Sequence, residues 1–211
     1  MRERKQALRF LDRFGRRPSA APEKLGEFLL GQGAFVAQKT VLDYCRVKAG
    51  RNERAHFADP GFQAALEHCR WQVFLSALAD VTLVAEAALR PHAPGAEDGL
   101  TQGLAALHDS ALLAAAPPEA EREAAEGARL ALPHHLSAAQ AVSPLPPHRR
   151  PLLAEPVLFA TLPVHPDQRR GEEEAIRGAL RFHVVTTVQE MERRFDLPSL
   201  AAAVAGTAPR H

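Results

Sequence analysis

The stretch that decides the fold is Phe62–Leu89, FQAALEHCRWQVFLSALADVTLVAEAAL. Projected on a helix, Phe62, Leu66, Cys69, Val73, Ala77, Asp80 and Val84 share one face. Trp71, Leu75, Leu78, Thr82, Ala85 and Leu89 share another. A helix that is apolar on two faces needs neighbours on both, so this one is expected at the centre of a bundle. Asp59-Pro60 supplies an N-cap followed by proline at the first helical position, and Pro91 and Pro94 stop the helix. About thirty residues rising ~1.5 Å each give a rod roughly 45 Å long. The least charged part, Trp71–Leu89, is long enough to raise the question of a membrane span. It carries Gln72, Ser76, Asp80, Thr82 and Glu86, and a carboxylate near mid-bilayer costs about 3 kcal/mol. A buried core helix is the better reading.

Outward from this rod, Pro22 opens a helix that runs to Ala49 and stops at Gly50. Leu25, Phe28, Leu29, Phe35 and Val36 form its apolar stripe, and Gly31 and Gly33 are the points where it could break. The link from Gly50 to Ala58 makes the two helices an antiparallel hairpin, with positions opposing when they lie equally far from the link midpoint near residue 54. Further helices are expected at 97–116, from Pro118 through an alanine-rich stretch, at 172–195, and from Asp196 to Gly206. Glu172–Glu174 and Arg193–Arg194 follow the charge order of the helix dipole. The proline-rich segment 142–166 reads as a loop, with an extended piece or short helix in its second half. The expectation is therefore an all-α bundle of six or seven helices over 18–206, preceded by a basic amphipathic arm at 1–17 and followed by a frayed tail at 207–211.

Composition fits that picture. Of 211 residues 46% are hydrophobic and 24% charged, values of a globular chain able to bury its own core. The net charge of +1 is unevenly placed. Arg2, Arg4, Lys5, Arg9, Arg13, Arg16 and Arg17 against Glu3 and Asp12 leave +5 in the arm and −4 over the rest. No apolar run follows the basic residues, so no secretory signal is read and a cytoplasmic location is expected. Cys45 and Cys69 lack the spacing of zinc, haem or redox motifs and read as buried free thiols.

Strings that advertise chemistry are missing. There is no G-x-S-x-G, and Ser76 and Ser110 fall inside helices, where serine bonds the backbone one turn back. The one E-x-x-H string, Glu53–His56, falls in the hairpin link, so no metal site is expected; His134 and His135 diverge by about 100° on a helix. Gly31-Gln32-Gly33 lacks the rest of a dinucleotide fingerprint, and no phosphate loop or helix-turn-helix is present. No cofactor is expected.

Two groups of polar residues remain. The arm residues Arg2, Arg4, Lys5, Arg9, Arg13, Arg16 and Arg17 could dock a partner or an acidic membrane surface, at ~1 kcal/mol per basic residue, or stand solvated. On the hairpin, Gln38, Asp43, Arg70 and Asp80, with His183 from the last long helix, could line a polar pocket. Asp43 is expected within reach of Arg70, and Asp80, on an apolar stripe, needs a partner such as His183 or Arg181. The structural alternative is a set of ion pairs fixing helix register. The readings are thus a non-enzymatic interaction protein with self-association or a protein partner, a small-molecule-binding or enzymatic bundle using the Asp80 pocket, and, third, a nucleic-acid-binding regulator.

Overall fold

The computed structural model describes residues 18–206 and carries Phe62–Leu89 in one unbroken helix, Pro60–Leu89. Asp59 caps it, its side chain accepting the N–H of Phe62 at 2.7 Å, and Pro60 holds the first position. From Val73 to Glu86 every residue except the half-buried Ser76 is buried, so this part of the helix is enclosed on all sides, while its first half presents exposed residues such as Glu67 and Arg70. It is long and apolar enough to cross a membrane, yet 78% of its most apolar window is buried inside the fold. Its apolar surface is covered by protein.

Seven helices of at least eight residues form the bundle: α1 Pro22–Ala49, α2 Pro60–Leu89, α3 Glu97–Ala115, α4 Arg122–Gln140, α5 Ala154–Thr161, α6 Glu173–Arg194 and α7 Leu197–Gly206. All six others pack against α2. No strand occurs among the described residues. An isolated parallel bridge joins Ser19 to Phe195, with the Ser19 N–H donating to Arg194 at 2.8 Å and the Asp196 N–H to Ser19 at 3.0 Å. It holds the lead-in to α1 against the end of α6. The basic arm at 1–17 and the tail at 207–211 lie outside the described residues.

Three local expectations are corrected. The hairpin link is not a plain loop: a 3-10 turn, Gly50–Asn52, leads into a six-residue helix, Glu53–Ala58. Gly31 and Gly33 do not break α1, because Gly33 is where α1 meets α2. A Cβ on Gly33 would lie 3.1 Å from Leu78 Cα, so the missing side chain allows the backbones to approach closely. That contact turns Gly33, Val36, Ala37 and Thr40 inward and leaves Phe35, expected in the buried stripe, 44% exposed. In the second half of 142–166, where an extended piece or a short helix was expected, the chain forms α5, Pro156 being tolerated in its first turn.

The two glycines of α1 make the crossing testable. Nothing lies within 4 Å of a Cβ on Gly31, so Gly31→Ala is expected to stabilise the fold by up to about 1 kcal/mol through helix propensity. Gly33→Val should destabilise it by about 1–3 kcal/mol through overpacking against Leu78. Urea unfolding of both variants checks the contrast; equal effects would remove the crossing from the account.

Candidate functional site

The five polar residues expected to share a pocket are placed in three different environments. Asp80 is fully buried, and its partner is neither of the side chains expected. Its carboxyl oxygens accept the backbone N–H groups of Leu153 at 2.8 Å and Ala154 at 2.9 Å. These are unpaired donors at the start of α5, so Asp80 caps that helix from across the core. Burial pushes its pKa up to about 7, opposed by the two N–H donors and by the Arg150 and Arg181 charges. Arg181 itself donates to the carbonyls of Arg150 at 2.8 Å and His148 at 3.1 Å.

Asp43 and His183 lie at the seam of α1 and α6. Asp43 pairs with Lys39 at 2.5 Å, one turn back on its own helix, and forms no ion pair with Arg70. The His183 ring meets Phe35 edge-on at 5.4 Å and Phe182 at 5.5 Å. Burial, then the Lys39 charge, lower its pKa. Phe182 is 63% exposed, so the seam carries an aromatic surface patch.

Gln38 and Arg70 do share a site. Both line a cleft of about 310 Å³ between α1, α2 and the end of α3. Leu30, Ala34 and Ala37 of α1, Phe74 of α2 and Ala115 of α3 give it apolar walls, and Trp71, edge-on to Phe74 at 5.5 Å, completes them. Glu67 joins Gln38 and Arg70 at the exposed rim. None of these three makes a hydrogen bond or ion pair among the described residues. The volume falls at the small end of the roughly 300–1,000 Å³ usual for ligand pockets, and an apolar lining with a few polar groups is their usual character.

Other buried polar groups are tied to the frame. Glu86, fully buried in α2, receives Arg90 through two bonds of 2.6 and 2.9 Å, while Arg90 also donates to the carbonyls of Ala139 at 3.0 Å and Val142 at 2.7 Å, closing the end of α4. The acid-to-arginine spacing of four residues was readable beforehand; its burial and its reach to α4 were not. Glu121 accepts from His68 Nδ1 at 2.7 Å and Gln72 at 2.6 Å, and Glu172 accepts from Tyr44 and Lys48, each at 2.7 Å. The buried hydroxyls of Thr40 and Thr187 and both ring nitrogens of His108 have no hydrogen-bond partner among the described residues; His108 is fully buried in α3, and burial lowers its pKa to about 4.

Groups weighed earlier for catalysis are occupied locally. Ser76 and Ser110 donate to the carbonyls of Gln72 and Ala106 at 3.2 and 2.9 Å. Cys45 and Cys69 are free and buried, and burial raises their thiols to about 12 and 11. No group of three His, Cys, Asp or Glu among the described residues is arranged to hold a metal ion. No protein-family model matches the sequence, and comparison with curated proteins and with solved structures finds no match.

Asp80 gives a pH-dependent prediction. With a folded pKa near 7 and an unfolded value of about 3.9, its contribution to stability is greatest below about pH 4 and is lost as pH rises through 7. Asp80→Ala, which leaves two buried N–H groups unpaired, is expected to cost about 1–3 kcal/mol. The cost should be larger in urea unfolding at pH 5 than at pH 8; the opposite order would refute the assignment.

Proposed function

We propose that this chain is a non-enzymatic binding protein that takes a small molecule in the cleft between α1, α2 and α3. The observation that carries this reading is the set of unengaged polar groups, Gln38, Glu67 and Arg70, on the rim of an apolar recess of about 310 Å³. Asp80 and Glu86 are engaged in holding helix ends, which favours binding over catalysis. Support for a polar binding site thus rests on the cleft that Gln38 and Arg70 line and not on Asp80. Trp71 is the single tryptophan of the chain, so its fluorescence reports on this cleft alone.

The test is a panel of amino acids, carboxylates, amines, nucleosides and polyols, titrated against the full chain at millimolar concentration. At least one class is expected to shift Trp71 emission saturably and raise Tm, because binding at 100 times Kd adds about 2.7 kcal/mol of stability. Ala34→Phe, which fills the recess, should abolish the shift while circular dichroism stays unchanged. A panel without any response overturns the proposal.

A second reading, an interaction protein that pairs with a second copy of itself, is favoured by the exposed Phe35 and Phe182 beside His183. The ion-paired Lys39 and Asp43 nearby give this patch an apolar centre and a rim bearing both signs of charge, which suits a two-fold, self-complementary contact. The basic arm at 1–17 belongs to this reading as a docking element for a protein partner or an acidic surface. The double change Phe35→Ser and Phe182→Ser should convert a dimer to a monomer in sedimentation at tens of micromolar; a monomeric parent chain ends the reading. Deleting residues 1–17 should weaken binding to anionic vesicles, and unchanged binding removes the arm from it.

A further inference from the structure

Resting on the cleft reading, we infer that the ligand is a small zwitterion with an apolar body, of the chemical class of a free apolar α-amino acid, held by Arg70 at its carboxylate and by Glu67 at its ammonium. An acid followed by arginine three residues later occurs seven times in the described chain, all at the spacing where helical side chains meet. Five of these pairs close on each other: Glu119–Arg122, Glu126–Arg129, Asp167–Arg170, Glu174–Arg177 and Glu190–Arg193. In a sixth, Asp43 and Arg46 each have another partner, Lys39 and Glu53. Glu67 and Arg70 neither meet nor pair elsewhere among the described residues. They are also the pair that stands on the rim of the cleft.

The chemistry of that rim selects its guest. A simple anion would gain Arg70 but face the Glu67 carboxylate, and a simple cation would meet the converse repulsion. A molecule bearing carboxylate and ammonium on one carbon satisfies both from a single head group, with the Gln38 amide able to donate to the same carboxylate. Its side chain then enters between Leu30, Ala34 and Phe74, where apolar surface leaves water.

The experiment uses the full chain, Trp71 emission and calorimetry, with three probes that share a phenyl body. L-phenylalanine carries both charges, 3-phenylpropanoate lacks the ammonium, and phenethylamine lacks the carboxylate. L-phenylalanine is expected to bind at least about tenfold tighter than either, the worth of one charge-assisted hydrogen bond. Glu67→Gln should remove its advantage over 3-phenylpropanoate, and Arg70→Met its advantage over phenethylamine. Both residues are exposed, so the fold should survive each change. If 3-phenylpropanoate or phenethylamine binds as tightly as L-phenylalanine, the zwitterion inference is overturned while the cleft reading stands. If neither these probes nor the wider panel shifts Trp71, both fall.

Discussion

From Val73 to Glu86 α2 has no side to turn toward water, and that property dictates the rest of the bundle. Covering one face would leave the other exposed at about 25 cal/mol for each Å² of apolar surface. The observed answer is a ring: α1, α3, α4, α5, α6 and α7 all contact α2. Members of the ring also pack on one another, α7 chiefly on α3 and α3 on α1 and α4, whereas α5, only eight residues long, rests chiefly on α2. An isolated helix of that length would be marginal in water, where nucleation is costly. Packing on α2 and the Asp80 cap supply what its length cannot.

Charge inside such a core is costly unless paired, and the pairing found here follows a pattern. The three buried carboxylates, and the half-buried Glu172, each reach a helix end or a neighbouring helix: Asp80 the start of α5, Glu86 through Arg90 the end of α4, Glu121 the flank of α2, and Glu172 the last turns of α1. Helix ends are where backbone groups lack partners, so one side chain satisfies its own desolvation and the backbone's need together. His108 does without such a partner because a neutral imidazole carries a smaller desolvation cost than an ion. Asp80 and His108 therefore act in opposite senses. As pH falls from about 6.5 toward 4, His108 resists the proton that Asp80 welcomes, so their contributions to stability partly offset each other.

Much of the fold was legible because its signals are local. Asp59-Pro60 marked the start of α2, Pro22 and Gly50 bounded α1, and the acid and base runs bounded α6. What the sequence concealed depended on contacts between distant segments. Phe35 lies on an apolar stripe by spacing, but the approach of Gly33 to Leu78 rotates α1 and turns Phe35 outward. Asp80 announced that it needed a partner, yet the partner is backbone, which has no identity in sequence. Of the five residues expected in one pocket, Gln38 and Arg70 meet because both face the hairpin groove. Asp43 found Lys39 one turn away, a shorter reach than the crossing to Arg70. Glu67 went unnoticed since an exposed acid beside an arginine is ordinary until the other such pairs are seen to close.

The Gly33 crossing also accounts for the cleft. Two helices brought together at a glycine touch at that point and separate on either side of it, and the side chains flanking the contact decide whether the gap is filled. On α1 the flanking residues are Leu30, Ala34 and Ala37, two of them too small to fill it, while on α2 Trp71 and Phe74 brace each other edge-on and form a wall. The recess is therefore set by backbone contact and by packed rings, and the exposed Gln38, Glu67 and Arg70 at its edge have no hydrogen-bond or ion-pair partner among the described residues. In the binding mode proposed above the walls are already packed against their own neighbours, so discrimination would fall to the rim charges, Glu67 and Arg70, one turn apart on α2.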